Sequence, residues 1–174
     1  MQESTLAYDI VRNQFSSNLE AFLKILIKAK AHSEAHKFSP EKYLDLKFSP
    51  DMFNFLKQVQ IITDNAKGAA SRLSGKTAPV FPDTETTFEQ LELRVRNTID
   101  FLNSISNEEF NQFDSRDVTF PWYPGKKLNS RDYLIGFALP NFYFHLTTAY
   151  DLLRHAGVSL GKADYLGNLN WQNA

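Results

Sequence analysis

The chain has 174 residues, which suits one domain with one core, and its 15 Phe residues supply much of the apolar volume. It contains no Cys, which excludes disulfides, thiolate metal ligands and a thiol nucleophile. The formal net charge is −1, with both signs mixed along the chain. This argues against a nucleic-acid binder, because such proteins carry a basic excess or stripe.

Residues 1–5 lack the basic start and apolar run of a signal peptide. No stretch approaches the roughly eighteen apolar residues of a membrane span. We therefore expect a cytoplasmic protein that acts on neither membranes nor nucleic acids, with residues 1–174 forming one domain.

The first helix is predicted from Thr5 to Lys37, because apolar side chains recur there at helical spacings. These apolar positions are Tyr8, Phe15, Leu19, Phe22 and Leu26. A connector from Phe38 to Phe48 follows, in which Ser39-Pro40-Glu41 favours a short helical turn.

Ser49-Pro50-Asp51 predicts the start of the second helix, since Ser favours the N-cap and Pro the first helical position. Gly75 is its predicted end. Between them an apolar seam steps by three and four residues through Met52, Phe55, Val59, Ile62, Ala66, Ala69 and Leu73.

Thr86-Thr87-Phe88-Glu89 has the capping-box pattern that begins a helix. The third helix is predicted there, and its buried face carries Phe88, Leu91, Val95, Thr98 and Leu102. Between Asp117 and Leu128 the apolar period changes to two, and Pro124-Gly125 supplies a turn. Val118, Phe120 and Trp122 alternate there, which predicts a small β-hairpin.

The last long helix is predicted to begin at Asn129 or Ser130 and to end at Gly157. One apolar face carries Ile135, Leu139, Phe142, Leu146 and Leu153, and the adjoining face carries Leu134, Phe137, Asn141, His145, Thr148 and Leu152. Pro140 lacks a backbone donor and should loosen the helix near Gly136. The tail, residues 159–174, should pack through Tyr165, Leu166 and Trp171 or fray. These elements predict an all-α four-helix bundle with a short β-hairpin before the last helix.

Asn141 and His145 lie one turn apart on a helix otherwise rich in Phe and Leu, so both should point inward. One interpretation is a core histidine that is hydrogen-bonded within the bundle. The other is a pocket histidine that binds a ligand or metal or transfers a proton. Gln60, Asp64 and Lys67 flank the seam of the second helix and are predicted to face this pair; the alternative is a solvated flank with an Asp64–Lys67 ion pair.

His32 and His36 have the i, i+4 spacing of two metal ligands on one helix. However, Glu34 lies between them, whereas a zinc protease needs its acid directly after the first His. We therefore interpret His32, His36 and His155 as residues near helix C-termini, where the helix dipole favours positive charge. The sequence contains no Gly-rich phosphate loop and no Gly-x-Ser-x-Gly elbow.

Several segments carry a resemblance to a known family. They are residues 49–53, 58–60, 64–70, 72–73, 83–88, 137–145, 147–150, 153–155 and 161–162, including Asp64-Asn65-Ala66-Lys67-Gly68-Ala69-Ala70 and Leu139-Pro140-Asn141-Phe142-Tyr143-Phe144-His145. Across nearly the whole chain they resemble a family of uncharacterised bacterial domains in the DinB/YfiT-like superfamily. The resemblance implies a four-helix bundle of a kind that is often dimeric and in many members binds a divalent metal or acts in thiol-dependent chemistry.

Metal-binding members of that superfamily use three histidines, one on the second helix and two spaced i, i+4 on the last. Here His145 matches one of the last-helix pair, but Asn141 and Ala149 occupy the positions one turn before and after it. The second helix has no His, and the nearest substitutes are Gln58, Gln60 and Asp64. Since amides are weak zinc ligands, the resemblance implies the fold with a broken metal triad.

The predicted function is therefore a homodimeric bundle that binds a small polar molecule near His145 without a cofactor. The candidate pocket residues are His145, Asn141, Gln60, Asp64 and Lys67. Two alternatives stay open. One is a metal-dependent hydrolase or transferase in which His145 and Asp64 hold a divalent metal, and the other is a structural dimeric interaction module.

Overall fold

Four long helices carry the fold in this computed structural model, which describes residues 5–169 and 171–172. They are α1 (Phe15–Ala35), α2 (Phe55–Ser74), α3 (Phe88–Asn103) and α4 (Leu139–His155). An antiparallel hairpin of β1 (Asp117–Thr119) and β2 (Lys127–Asn129) precedes α4, and a short helix, α5 (Lys162–Leu166), follows it. Short 3-10 turns occur at Pro40–Tyr43, Asn107–Phe110 and Phe113–Ser115. The predicted four-helix bundle with a hairpin is confirmed.

α2 lies between α3 and α4, whereas α1 packs against α3 and α5. The apolar faces predicted for the helices meet in one cluster of buried side chains. Six phenylalanines of this core are at most 1% exposed, namely Phe15, Phe22, Phe55, Phe88, Phe110 and Phe142. Across the described residues, no helix is long and apolar enough to cross a bilayer.

The first helical segment begins close to its predicted start. Thr5 accepts a hydrogen bond from the backbone N–H three residues on, and Leu6–Tyr8 and a π-helical segment, Asp9–Gln14, lead into α1. The predicted end at Lys37 is two residues late, because α1 ends at Ala35. Lys37 has a φ of 58°, in the left-handed region, which cannot continue a right-handed helix.

The prediction that Ser49-Pro50-Asp51 opens α2 is wrong. The helix begins at Phe55, and Asn54 caps it by accepting a hydrogen bond of 3.0 Å from the backbone N–H three residues on. The connector folds back over this end, where the N–H of Phe55 donates to the carbonyl of Leu46 at 2.8 Å. Because these groups already satisfy the first turn, the Ser-Pro-Asp motif forms a turn of the connector, and Met52 lies outside the helix.

The two helix ends predicted at Gly75 and Gly157 are confirmed. Both glycines have positive φ values, of 84° and 95°, which a right-handed helix cannot continue through. The capping box of α3 lies one residue later than predicted and consists of Thr87 and Gln90.

Pro140 disturbs the start of α4 as predicted. A π-helical segment, Leu134–Ala138, joins the helical turn Ser130–Tyr133 to α4. Pro140 has no N–H to donate to the carbonyl of Gly136, and a wider turn accommodates that missing bond. Asn129 is the N-cap of the helical turn Ser130–Tyr133, which agrees with the prediction that Asn129 or Ser130 begins this helix.

Two apolar positions, Ile135 and Trp122, differ from the prediction. Ile135 is exposed rather than buried, because a π turn holds more residues than an α turn and so rotates the buried face. Trp122 is also exposed, although Val118 and Phe120 are buried on the hairpin as predicted. In the tail Tyr165 packs against the core while Trp171 is exposed, and residues 170, 173 and 174 lie outside the described residues.

Candidate functional site

His145 is buried on α4, with 8% of its surface exposed. Its Nδ1 lies 2.6 Å from Oε1 of Gln58 on α2. The Gln58 amide is itself held in one orientation, because its Nε2 donates to the Phe53 carbonyl at 3.1 Å. The amide oxygen therefore faces the imidazole, so Nδ1 carries the proton and donates it, while Nε2 keeps a lone pair.

Burial lowers the pKa of His145 below its ordinary value, because the charged ring loses hydration in the core. The ring is therefore neutral at pH 7, with one donor and one acceptor nitrogen. Sequence reasoning named Gln58 as a substitute for a superfamily histidine, and the structure shows it as the hydrogen-bond partner of His145.

We expect His145 to make the protein less stable in mild acid. Since its pKa is lower in the folded than in the unfolded chain, the unfolded state binds more protons as the pH falls below about 6.5, and acid favours unfolding. His145→Gln removes this titration and should give a shallower loss of unfolding free energy between pH 7 and pH 5. Urea denaturation at several pH values measures both slopes, with His155→Gln, an exposed histidine of the same helix, as the control. Equal slopes in wild type and His145→Gln would contradict the expectation.

The polar strip predicted on α2 does not reach His145. The Gln60 amide donates to Glu85 at 2.8 Å, and Lys67 Nζ donates to a backbone carbonyl of the loop between α2 and α3 at 3.2 Å. Asp64 lies 2.9 Å from Lys67, in the ion pair that was the alternative interpretation of this strip. The strip faces the loop because α3 presents a buried cation there.

Arg94 on α3 is that cation, and sequence reasoning missed it. It is 3% exposed, and its guanidinium contacts the carboxylates of Asp64, Asp83 and Glu85 at 2.8, 2.7 and 2.9 Å. Its Nε donates to Thr63 at 2.7 Å. Burial alone would lower the pKa of Arg94, but the hydrogen bond that it donates to Glu85 and the negative charges around it raise the pKa. The cluster thus joins α2, α3 and the loop between them.

A cavity of about 320 Å³ lies between α2, the hairpin and the start of α4. Its polar lining consists of Asp64, Asn65, Arg72, Tyr133 and Asn141. Its apolar lining consists of Ile61, Phe120, Trp122 and Phe137. Asp64 and Asn141, two of the predicted pocket residues, therefore meet in one cavity of a size typical for small ligands, whereas His145 lies one turn further along α4.

A cavity of about 350 Å³ lies along the loop between α2 and α3, beside Arg94, whose charge three carboxylates already compensate. Two larger cavities, of about 490 and 400 Å³, follow the hairpin turn. Their lining comes mostly from exposed residues between positions 119 and 128 and includes no buried polar side chain. The cavity of about 320 Å³ is the better candidate, because binding sites combine apolar walls with a few fixed polar groups.

Two polar side chains of this smaller cavity keep unused hydrogen-bonding capacity. Asn65 is 8% exposed, and its Nδ2 donates to the Ala138 carbonyl at 3.1 Å, which fixes the orientation of the amide. Within the described part of the chain, no group donates to Asn65 Oδ1. Arg72 forms no ion pair there, although its guanidinium is hydrogen-bonded to the Tyr133 hydroxyl. Oδ1 of Asn65 is closed off from solvent, so a ligand in the cavity meets the Arg72 guanidinium and not this acceptor.

The side chains do not fit the metal site of the superfamily. Among residues 5–169 and 171–172, no three His, Cys, Asp or Glu side chains lie together as a metal site needs. His145 supplies one imidazole, and the amide oxygen beside it accepts its Nδ1 proton. Amide oxygens are also weak ligands for zinc, so no step of a metal-dependent reaction can be assigned to these residues.

Comparison with known proteins found one family match and a close structural match. The family described as "Domain of unknown function (DUF1993)" matches residues 7–166. The crystal structure of a DinB family member protein from Shewanella denitrificans has 38% sequence identity and a TM-score of 0.91. That match covers 96% of this chain and 95% of the other. No curated protein matches the sequence.

Proposed function

The chain belongs to the DUF1993 family of DinB-like helical bundles, and we propose that it binds a small polar molecule in the cavity between α2, the hairpin and α4. The observation that supports this proposal is the cluster of polar side chains in that cavity. Asn65, Arg72 and Asn141 reach it from two helices, against a wall of aromatic side chains. Binding needs no metal ion.

The cavity can hold a ligand by hydrogen bonds and one positive charge. The carboxylate of Asp64 is compensated, since its Oδ1 lies 2.8 Å from Arg94 and 2.9 Å from Lys67. Arg72 then supplies the remaining charge, and the amide of Asn141 supplies donors and an acceptor. Such a lining orients a small polar molecule without a bound metal.

The metal-dependent alternative has less support. It required His145 and Asp64 as a pair, but Asp64 is bonded to two cations, and the cavity that it lines does not include His145. His145 is better explained as a neutral residue that joins α4 to α2 beside the cavity. We propose that it supports the position of Asn141, one turn away on the same helix.

A single-tryptophan protein tests the proposal. The chain has two Trp residues, of which Trp122 lines the cavity and Trp171 is exposed elsewhere. In Trp171→Phe all indole fluorescence comes from the cavity, and we expect a saturable change with at least one class in a panel of carboxylic acids, amines, sugars and amides. Asn141→Leu in the same protein should weaken that binding about tenfold or more, since it replaces a lining amide with an apolar group.

Thr148→Leu is the matched control, because Thr148 lies on α4 outside the cavity lining. Its binding should equal that of Trp171→Phe alone. A panel without a saturable response, or unchanged affinity in Asn141→Leu, would show that the cavity is not a binding site.

A further inference from the structure

We propose that the ligand is a small aromatic carboxylate that also carries a hydrogen-bond donor. Arg72 binds its carboxylate, and the amide oxygen of Asn141 accepts from its donor. This inference rests on the proposed function, because it names the class of ligand for the same cavity.

The position of the Arg72 guanidinium depends on Gly68, one turn earlier on α2. A Cβ at position 68 would overlap Nη1 of Arg72, so the missing side chain gives the guanidinium its space. Glycine inside a helix is unfavourable relative to alanine, and here the guanidinium occupies the space that a Cβ would take. The arginine side chain therefore lies back along the helix with its charged group at the cavity.

Arg72 is placed to bind an anion. Its Cζ lies 5.7 Å from the ring centre of Phe120 and 5.9 Å from that of Tyr133, which hold it against the aromatic wall. Arg94, on the neighbouring helix, is bonded to three carboxylates, whereas Arg72 pairs with none among the described residues. A guanidinium with free N–H groups matches a carboxylate in a two-pronged geometry.

The other charged groups at the cavity do not oppose an anion. Asp64 is the carboxylate in the lining, and Lys67 and Arg94 compensate its charge at 2.9 and 2.8 Å. Burial raises the pKa of Tyr133, and the charge of Arg72 works against that rise without reversing it. The Tyr133 hydroxyl is therefore neutral and able to donate to a bound oxyanion.

The rest of the lining narrows the class of anion. Asn141 lines the cavity with an amide whose oxygen accepts from an N–H or O–H donor. Phe120, Trp122 and Phe137 form an aromatic wall that suits a flat apolar group. An inorganic anion would satisfy Arg72 alone, whereas an aromatic hydroxy acid or amino acid satisfies all three features.

Calorimetric titration of the whole chain with four probes tests this inference. The probes are 4-hydroxybenzoate, benzoate, 4-hydroxybenzamide and inorganic phosphate. We expect 4-hydroxybenzoate to bind tightest and benzoate, which lacks the hydroxyl donor, about three- to tenfold more weakly. The neutral amide and phosphate should each bind about tenfold or more weakly, since one lacks the charge and the other the aromatic group.

Variants of α2 test the charge of Arg72 separately from the stability of the fold. Arg72→Met should weaken 4-hydroxybenzoate about tenfold or more and leave 4-hydroxybenzamide unchanged. Gly68→Ala should fold at least as well as wild type, because alanine favours the helix, yet displace the guanidinium and weaken 4-hydroxybenzoate several-fold. Arg96→Met, at an exposed arginine of α3, is the control and should bind like wild type.

The outcomes distinguish this ligand class from the proposed function on which it rests, the binding of a small polar molecule in the cavity. Equal affinity for 4-hydroxybenzoate and its amide, equal affinity for phosphate, or unchanged binding in Arg72→Met would overturn the ligand class. In those cases a response of Trp122 to some other compound would leave the cavity as a binding site. Absence of any response, in calorimetry and in the fluorescence panel, would remove both.

Discussion

Arg94→Met should lower the free energy of unfolding by about 3 kcal/mol, because it leaves three carboxylates without their shared cation. Removing one partner of a buried ion pair costs about 3–5 kcal/mol. The lower end applies here, since the side chains of Asp64 and Asp83 are 39% and 34% exposed and water relieves part of their repulsion. Glu85, at 12% exposed, bears most of the cost. Urea denaturation at pH 7 measures the change.

Acid should reduce the difference in the free energy of unfolding between Arg94→Met and wild type. Burial would raise the pKa of Asp83 and of Glu85, but hydrogen bonds from Arg94 and its neighbours outweigh burial and lower both. An acid with a lowered folded pKa contributes stability above its unfolded pKa of about 4 and loses it as the pH falls through the folded value. Arg94→Met already lacks this contribution at neutral pH. Its free energy of unfolding should therefore fall less than that of wild type as the pH is lowered.

Two controls accompany the Arg94 experiment. Arg96→Met removes an exposed arginine two residues away and should change the free energy of unfolding by less than about 0.5 kcal/mol. Glu85→Gln combined with Arg94→Met should recover part of the loss, because it removes the most buried uncompensated charge. A loss below about 1 kcal/mol for Arg94→Met would mean that the cluster behaves as an ordinary surface network.

The fold was predictable because its pattern is repeated along the chain. Apolar side chains at helical spacing run through all four helices, and the change to a period of two marks the hairpin. The start of α2 was not predictable in this way. Ser49-Pro50-Asp51 satisfies the local rules for a helix start, but Asn54 caps the helix because the connector returns to bond its first turn. That contact joins residues distant in sequence, and no local rule contains it.

The candidate site was predicted in part. Asp64 and Asn141 line the cavity, but the strongest polar groups beside them, Asn65 and Arg72, lie next to apolar seam positions and resembled an ordinary flank. Gly68 was the available signal, since a glycine inside a long helix indicates a close contact or a functional need.

Arg94 gave a similar signal that sequence reasoning missed. It lies at helical spacing from Leu91 and Thr98, both on the predicted buried face of α3, so burial of its charge followed from the pattern. Its three acids come from two other segments and could not be paired with it from spacing alone. The Gln58–His145 hydrogen bond could not be predicted for the same reason, because it depends on the relative positions of α2 and α4 along their axes.

Phe142→Ala should lower the free energy of unfolding by about 3–5 kcal/mol, since it opens a cavity where α1 meets α4. Phe142 and Phe15 are completely buried, and their rings stack with centres 4.2 Å apart and planes 19° apart. The substitution removes that ring pair together with its burial, and the surrounding Phe-rich core can close only part of the space. Phe144→Ala, at an exposed phenylalanine of the same helix, should change stability by less than about 1 kcal/mol.

The ring pair also makes the Phe142 experiment a test of how α4 is held beside the cavity. Phe15→Ala and Phe142→Ala together should cost less than the sum of the two single changes, because each removes the same stacked contact. Full additivity would show that α1 and α4 do not share the contact in solution. Position 142 follows Asn141, so loosening it should also weaken ligand binding at the cavity, whereas Phe144→Ala should not. A stable Phe142→Ala protein with unchanged binding would contradict both the packing and the role given to α4.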